Sequence, residues 1–382
     1  MAYIKKEDPM KSAKALESWY PKGTGLEVGM YDQAAQEGKS FSMFLEEMKS
    51  EKEGRTIYDG KTMAQVHDIK ATLARNGQPI PLTAFEECLK ACNVRLDGRD
   101  GDNGKVSKFF EFSGVTILFP EYISNQVFMG KKKASLVSVF ANETVIDAMN
   151  YHKIYIDTVE ADEQMSKVEP REMFKETKIL VSKDSVTLQK FGTYLTTSYE
   201  DVKYQRLPIF AKALLRVGLQ IGVDETDDMF YTLINGDGNS NTPGATASVD
   251  VSGVIDGEEI TKLRTIASLP YSIGVLVGRK ASVRKWIDAL ADYTNPYDMR
   301  GFTQELAPQL SMPVMYEWDT STITTNHIYG VDKEFGIEHL TTGAVMTETE
   351  KLIRNQINGT AISYAAGHAI IDKNAVCDFD HS

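Results

Sequence analysis

The chain has 382 residues, a net charge of −12, 25% charged and 42% hydrophobic side chains, and three cysteines. That length suffices for a sizeable core in two or three domains, and the acidic balance argues against a protein that grips nucleic acid through a basic surface. No apolar run reaches the ~20 residues of a membrane helix, the start MAYIKKEDP lacks a signal-peptide apolar region, and Cys88, Cys92 and Cys377 make no disulfide framework, so synthesis in the cytosol is expected.

Residues 1–105 read as an arm with short helices. Pro9, Pro21 and several glycines break up residues 1–38, leaving one short helix near Lys11 to Trp19. Apolar residues then recur at helical spacing three times: Phe41, Phe44, Leu45 and Met48; Met63, Val66, Ile69 and Leu73; Phe85, Leu89 and Cys92. Thr83 and Glu86 have the spacing of a capping box, with Leu82 placed as its hydrophobic staple. The turn-rich DGRDGDNGK, Asp97 to Lys105, predicts a boundary. Residues 106–150 lead into the body: Phe109 to Phe119 alternates like a strand, Pro120 opens the stretch Glu121 to Phe128, and Leu136 to Phe140 reads as a further strand.

Residues 151–200 predict a long two-stranded excursion. Ile154, Ile156 and Thr158 alternate, a charged interval follows, and strand character resumes at Ile179, Val181 and Val186 to Leu188. A lone ribbon is marginally stable in water, so it is expected to lie on another surface.

Residues 201–244 hold the strongest signal, LPIFAKALLRVGLQIGVDETDDMFYTLINGDG from Leu207 to Gly238. With no proline after Pro208, a continuous helix to Ile234 would be roughly 40 Å long. Phe210, Ala213, Leu214, Val217 and Ile221 form an apolar stripe, and Lys212, Arg216 and Gln220 leave only a narrow polar strip, so most of the circumference is expected to be buried. Gly218 and Gly222, one turn apart, point to a place where another backbone comes close. Asn235-Gly236-Asp237-Gly238 supplies the stop.

Residues 245–338 alternate helices and strands. A helix capped by Asp256 with Glu259 carries Ile260, Leu263 and Ile266 and ends at Pro270. Ser272 to Gly278 reads as a buried strand, Ala281 to Ala291 as a helix with Trp286, Ile287 and Leu290, and Pro313 to Tyr316 and His327 to Val331 as strands. A compact α/β unit is expected there. In residues 339–382, alternation at Ile353, Asn355 and Ile357 and again at Ala361, Ser363 and Ala365 predicts a sheet packed along the long helix. The fold class is α+β.

No catalytic, cofactor or metal set emerges. Asp100, Asp102 and Glu111 match the first, third and twelfth positions of a calcium loop, but Gly104 and Lys105 stand where a ligand and a glycine are needed, so a plain turn is expected. Cys88 and Cys92, with His67, are too few and oddly spaced for zinc and read as reduced packing thiols. NGDGNSNTPG follows a helix, the reverse of a phosphate loop. Asp224, Glu225, Asp227 and Asp228 could attract cations and read more simply as a solvated or subunit-facing acidic patch. The six histidines, His67, His152, His327, His339, His368 and His381, have no nucleophile motif beside them.

The long helix, with ILFPEYISNQVF ahead of it and the sheet-like segment behind it, resembles the major capsid proteins of tailed double-stranded DNA bacteriophages, whose fold is the Hong Kong 97 type. The resemblance covers about Phe112 to Ala375 and rests on the order of elements. It implies a spine helix (201–244) and a C-terminal sheet (339–382) in a peripheral domain, an extended loop (151–200) reaching over a neighbour, an axial domain (245–338) at capsomer centres, and an N-terminal arm. It also implies hexamers and pentamers of this chain in an icosahedral or prolate shell around phage DNA, held without sequence-specific contacts. Portal, scaffolding or decoration proteins would be further partners, and the location would be the virion after assembly in the host cytoplasm. Candidate subunit-interface residues are Lys167, Glu169, Arg171, Glu172, Lys175 and Lys178 in the loop, with Asp227 and Asp228 on the spine.

One branch of that family bonds a loop lysine to a neighbour's asparagine. The residues around Lys167, Lys175 and Lys178 carry no motif for it, and salt bridges are expected instead. Many relatives begin with a helical scaffolding segment that is later cut off. Here prolines interrupt that segment, and a retained arm is expected. An encapsulin-like nanocompartment is the alternative on the same fold, against which the long N-terminal segment counts, and an oligomeric cytosolic enzyme is a third class.

Overall fold

The computed structural model describes residues 29–37, 39–92, 94–96, 104–110, 115, 117–146, 148–156, 179–198, 205–238, 245–248, 252–255, 259–260, 262–263, 266, 271–293, 313–342, 346–352 and 357–382. In chain order these form α1 (Gly29–Gln36), α2 (Phe41–Glu53), α3 (Met63–Arg75), α4 (Ala84–Ala91), a 3₁₀ turn (Val106–Phe110), α5 (Leu118–Ala134) and α6 (Val137–Phe140). The strands β1 (Ala141–Val145), β2 (Asn150–Ile156), β3 (Ile179–Thr187) and β4 (Gln189–Ser198) lead to the long helix α7 (Leu207–Asn235). After it come β5 (Ala245–Ser248), β6 (Val275–Gly278), α8 (Lys280–Tyr293), β7 (Val314–Glu317), β8 (His327–Val331), β9 (Ile337–Thr341), β10 (Met346–Leu352), β11 (Ile357–Ile370) and β12 (Val376–Asp380). The expected helix at Lys11 to Trp19, the excursion's tip and most of the turn at Asp97 to Lys105 lie outside the described residues.

The chain divides into two compact units. One comprises Met1–Ser135, Phe191–Val223 and Ala344–Tyr364, and the other Leu136–Lys190, Asp224–Gly343 and Ala365–Ser382.

In the first unit the short helices start where capping chemistry satisfies their leading N–H groups. Ser40 accepts from Met43 N, and Thr62 with Gln65 and Thr83 with Glu86 form reciprocal capping boxes. Leu82, expected as a staple, is instead exposed. Phe41, Leu45, Phe85 and Leu89 share one core with Phe109, Leu118, Tyr122, Leu207 and Leu214. Residues on both sides of 97–105 thus bury each other, and Val106 N donates to Gln205 O beside a bridge between Lys105 and Arg206.

Two carboxylates join this block together. Glu121 of α5 is buried at the start of α2, where Ser42 donates to it from N (3.1 Å) and Oγ (2.5 Å). Glu46 of α2 accepts from Ala84 N at the start of α4 (2.5 Å) and from Thr56 Oγ1 (3.1 Å). Both sit where a helix N-terminus favours negative charge. Burial nonetheless pushes both carboxyls above the usual range, against the lowering effect of those hydrogen bonds.

In the stretch Phe109 to Phe119, expected as a strand, Phe109 and Phe110 end the 3₁₀ turn and Leu118 and Phe119 begin a helix. Leu118, Phe119, Tyr122 and Ile123 are buried at helical spacing, and Pro120 sits in the first turn, where its missing N–H had no intrahelical acceptor. Phe109 packs its ring 5.3 Å from both Phe119 and Tyr122.

The long helix runs 29 residues, roughly 43 Å at 1.5 Å per residue. It stops as expected: Gly236 takes φ 81° while its N–H donates to Thr232 O, and Gly238 takes φ 89°. Within the first unit α5 and α7 meet backbone to backbone. A Cβ on Gly218 would run into Val127 O and lie 2.9 Å from Gly130 Cα, and one on Gly222 would lie 2.5 Å from Lys131 O. A Cβ on Gly130 would in turn strike Leu215 O. The expected near-complete burial of α7 is not found, because Ala213 and Leu219 are exposed, Ile209 is 59% exposed and Tyr231 60%. In the same unit β10 and β11 pair antiparallel from Met346↔Ser363 to Leu352↔Ile357, and β4 also pairs with β11.

The second unit holds a five-stranded sheet in the order β5-β12-β8-β6-β7, with β12 parallel to β5 and antiparallel to β8. Trp286 of α8 packs with Ile273, Leu276, Ile328 and Phe379, whereas Ile287 is exposed. Only Val275–Gly278 of the expected strand from Ser272 is a strand. Residues 376–380, expected on the sheet along the long helix, are a central strand here, because Val376, Cys377 and Phe379 are all fully buried and need cover on both faces.

A second ladder in this unit joins β1 to β9 in parallel and β9 to the end of β11 antiparallel. Ala141, Ile337 and Ile370 on one face of it pack with Met229, Phe230 and Leu233 of α7. Leu136 to Phe140, expected as a strand, is one helical turn, since Leu136 N donates to Thr226 Oγ1 and Phe140 edges onto Phe230 at 5.1 Å. The excursion's two strands, β2 and β3, pair antiparallel from Asn150↔Thr187 to Ile156↔Ile179, with an irregularity between His152 and Ile154.

Candidate subunit-contact surface

The ribbon β2/β3 forms a two-stranded sheet of its own. At its base Tyr151, Val186 and Leu188 pack with Leu340, Ala365 and Ala369. Seven residues of β2 and nine of β3 extend from that anchor. Lys167, Glu169, Arg171, Glu172, Lys175 and Lys178, the loop candidates, lie outside the described residues.

The spine candidates are occupied within the second unit. Asp227 accepts from Trp318 Nε1 (2.7 Å) and Thr320 Oγ1 (2.8 Å), so its carboxylate fastens the segment after β7 to the helix. Asp228 Oδ2 lies 3.6 Å from His368 Nε2, and burial, then the nearby Glu225, holds its carboxyl above the usual carboxylate range. Glu225 is 1% exposed, which removes it from the expected solvated patch, while Asp224 faces outward.

His339 and His368, 29 residues apart, are register partners on β9 and β11, with their Nδ1 atoms 3.4 Å apart. Sequence reading missed this pair. Its one signal is that a histidine falls at an inward-facing position of each of two strands, and only the register shows that they meet.

The remaining candidates separate. Cys88, Cys92 and Cys377 are buried free thiols; burial pushes Cys377 up to about 12 and Cys88 further, which makes them poor nucleophiles. His67 lines a cleft of about 90 Å³ with Met43, Val66, Phe85, Tyr122 and Met129, well below the ~300 Å³ of an ordinary small-molecule site. Among the described residues no group of three or more His, Cys, Asp or Glu side chains is arranged to hold a metal ion, and no helix is long and apolar enough to cross a membrane. Asp237, in the glycine-rich turn, accepts from Ile370 N at 3.1 Å.

Exposed apolar side chains occur both in connections, such as Ile57, Ile80 and Val254, and on regular elements. Besides Ile209, Leu219 and Tyr231 on α7, they include Ile287 on α8 and Val314 on the edge strand β7.

Comparison with known proteins gives structural likeness at low identity. The chain is similar to the virus-like particle from Pyrococcus furiosus (10% identity, 68% of this chain and 98% of that one, TM-score 0.45). It is also similar to the capsid of the native GTA particle (13% identity, 64% and 89%, TM-score 0.47) and to a Mycobacterium phage Bobi structure (11% identity, 65% and 90%, TM-score 0.45). No protein-family model matches the sequence, and no curated protein sequence matches it.

Proposed function

We propose that this chain is a shell subunit, a major capsid protein of the Hong Kong 97 type that assembles in many copies around phage DNA. The observation that carries this reading is the ribbon β2/β3, which among the described residues forms a two-stranded sheet of its own and packs at its base. A two-stranded ribbon is marginal alone, so its outer length calls for a surface supplied by another copy. The long helix supports the same reading, because Ile209, Leu219 and Tyr231 on it are exposed and available to neighbours.

In the mechanism that follows, each subunit contributes weak contacts and closure of the lattice multiplies them. Hexamers and pentamers form first, with the β5–β7 sheet as the axial domain and the ribbon clasping the next subunit through Lys167, Glu169, Arg171, Glu172, Lys175 and Lys178. The net charge of −12 lets the shell enclose DNA without gripping it. The role is structural and not enzymatic, and portal, scaffolding and decoration proteins complete the particle in the host cytoplasm.

Electron microscopy of the purified protein tests this directly. Closed shells are expected, and a population of small soluble oligomers under every assembly condition would overturn the proposal. Nuclease-protected DNA inside the particles distinguishes a virion from an encapsulin-like compartment, which would hold protein cargo.

A further inference from the structure

We infer that His327 of β8 and Asp380 of β12 form a two-ligand site for a divalent transition-metal ion such as Zn²⁺, with Asp378 as the positioning residue that prepares the imidazole. The inference goes beyond the shell reading and stands without it. The three side chains share one face of the five-stranded sheet in the second unit: Asp380 is the register partner of His327, and Asp378 is the partner of Tyr329. His327 Nδ1 lies 2.7 Å from Asp378 Oδ1, whereas its Nε2 lies 3.7 Å from Asp380 Oδ1, too far for a hydrogen bond. Tyr329 stacks on the imidazole with 5.9 Å between centroids and 13° between planes, and its hydroxyl donates to Thr324 Oγ1. The ring is thus fixed from its face as well as from Asp378. On the next strand, Thr246 and Ser248 of β5 pair with Asp378 and Asp380, so no further charge flanks them from that side.

An ionised carboxylate can only accept, so the Asp378 contact places the ring proton on Nδ1 and turns the Nε2 lone pair toward Asp380. Histidine binds metals in this way, with one nitrogen held by a carboxylate and the other left as a more basic ligand. Asp380 stays ionised beside it, because Ser382 N donates to its Oδ1 at 2.8 Å and holds the carboxyl below the usual range. An ion about 2.1 Å from both Nε2 and Oδ1, an ordinary zinc distance, would see them about 125° apart across the 3.7 Å gap. The Asp380 side chain is 41% exposed, and a slight turn of its carboxylate closes that to the tetrahedral angle. The chain supplies two ligands and water completes the shell, while an imidazole with a carboxylate favours zinc-like ions over calcium or magnesium. Since the ligands sit on neighbouring strands, the ion staples β12 to β8. The competing occupant of the gap is a proton on Nε2, which makes a salt link that needs no metal.

Calorimetric titration of the full-length chain with zinc chloride at neutral pH tests the site. Saturable binding is expected, from which His327→Gln removes one ion per chain. Asp378→Asn should weaken that ion by about 10–100-fold, the usual effect of losing an outer carboxylate. An isotherm for His327→Gln that matches the wild type would overturn the proposal. The wild-type chain decides the matter if the variants do not fold, through exchange of histidine C2 hydrogens for deuterium with and without zinc, read by mass spectrometry after digestion. Zinc on Nε2 keeps the ring from taking the proton that this exchange needs, so exchange at His327 should slow several-fold. His381 is the internal control, since it is fully buried with its Nε2 2.8 Å from Ser282 Oγ, and its exchange should not change. Equal exchange at His327 with and without zinc would overturn the metal site and leave a proton-bridged salt link in its place.

Discussion

The long helix is fastened differently along its length. In Leu207–Val223 it is fitted closely at glycine: Gly218 and Gly222 admit the backbone of α5. In Asp224–Asn235 it is held by polar side chains: Glu225 and Asp228 face histidines, Asp227 takes Trp318 and Thr320, and Thr226 takes Leu136 N. The first fastening rests on backbone shape; the second adds side-chain hydrogen bonds to the apolar packing of Met229, Phe230 and Leu233.

The strongest way to break this contrast is Gly218→Val. Its Cβ would collide with backbone atoms that cannot rotate aside, so the loss should exceed about 3 kcal/mol or leave the chain insoluble, as urea unfolding followed by circular dichroism would show. Gly222→Ala brings a Cβ against Lys131 O, Ala134 Cβ and Ser135 N, with less overlap than at Gly218, and about 1–3 kcal/mol is expected in the same assay. In the polar half, Asp227→Ala strands the Trp318 N–H and should cost about 1–3 kcal/mol by tryptophan-detected unfolding. Thr226→Val keeps the shape and removes one acceptor, for about 1 kcal/mol.

A pH series sharpens the contrast from the α5 side. Burial raises the Glu121 carboxyl, so the native chain keeps a proton that the unfolded chain has already lost. The contribution of Glu121 to stability therefore declines as pH rises from the ordinary carboxylate range through its folded titration. Glu121→Gln should remove that decline, with the two melting curves meeting in acid and the variant at least as stable at neutral pH. A variant that is less stable by a constant amount at every pH would show that the Ser42 contact needs the carboxylate itself.

What could be read in the sequence was local. The long helix, its stop and its close approach at Gly218 and Gly222 were legible because glycine one turn apart inside an apolar helix has few other uses. The Thr83 and Glu86 capping box was legible for the same reason. The segment around Pro120 misled, since a proline marks the end of a helix and its first turn equally well. Outward apolar residues such as Ile209 and Tyr231 also misled, because hydropathy says that a side chain seeks cover without saying whose. The histidine pair and the role of Asp227 were out of reach: each depends on strands or segments brought together across tens of residues by register.

The placement of β12 has a consequence for how the protein is made. It is the middle strand that joins β5 to β8, yet it leaves the ribosome about 130 residues after β5. Until it arrives, β8 offers a bare edge and β5 has no strand partner in this sheet, so the nascent chain carries unpaired strand backbone through the last third of translation. Chaperone cover during that interval, more than the stability of the finished sheet, should set the yield of usable protein.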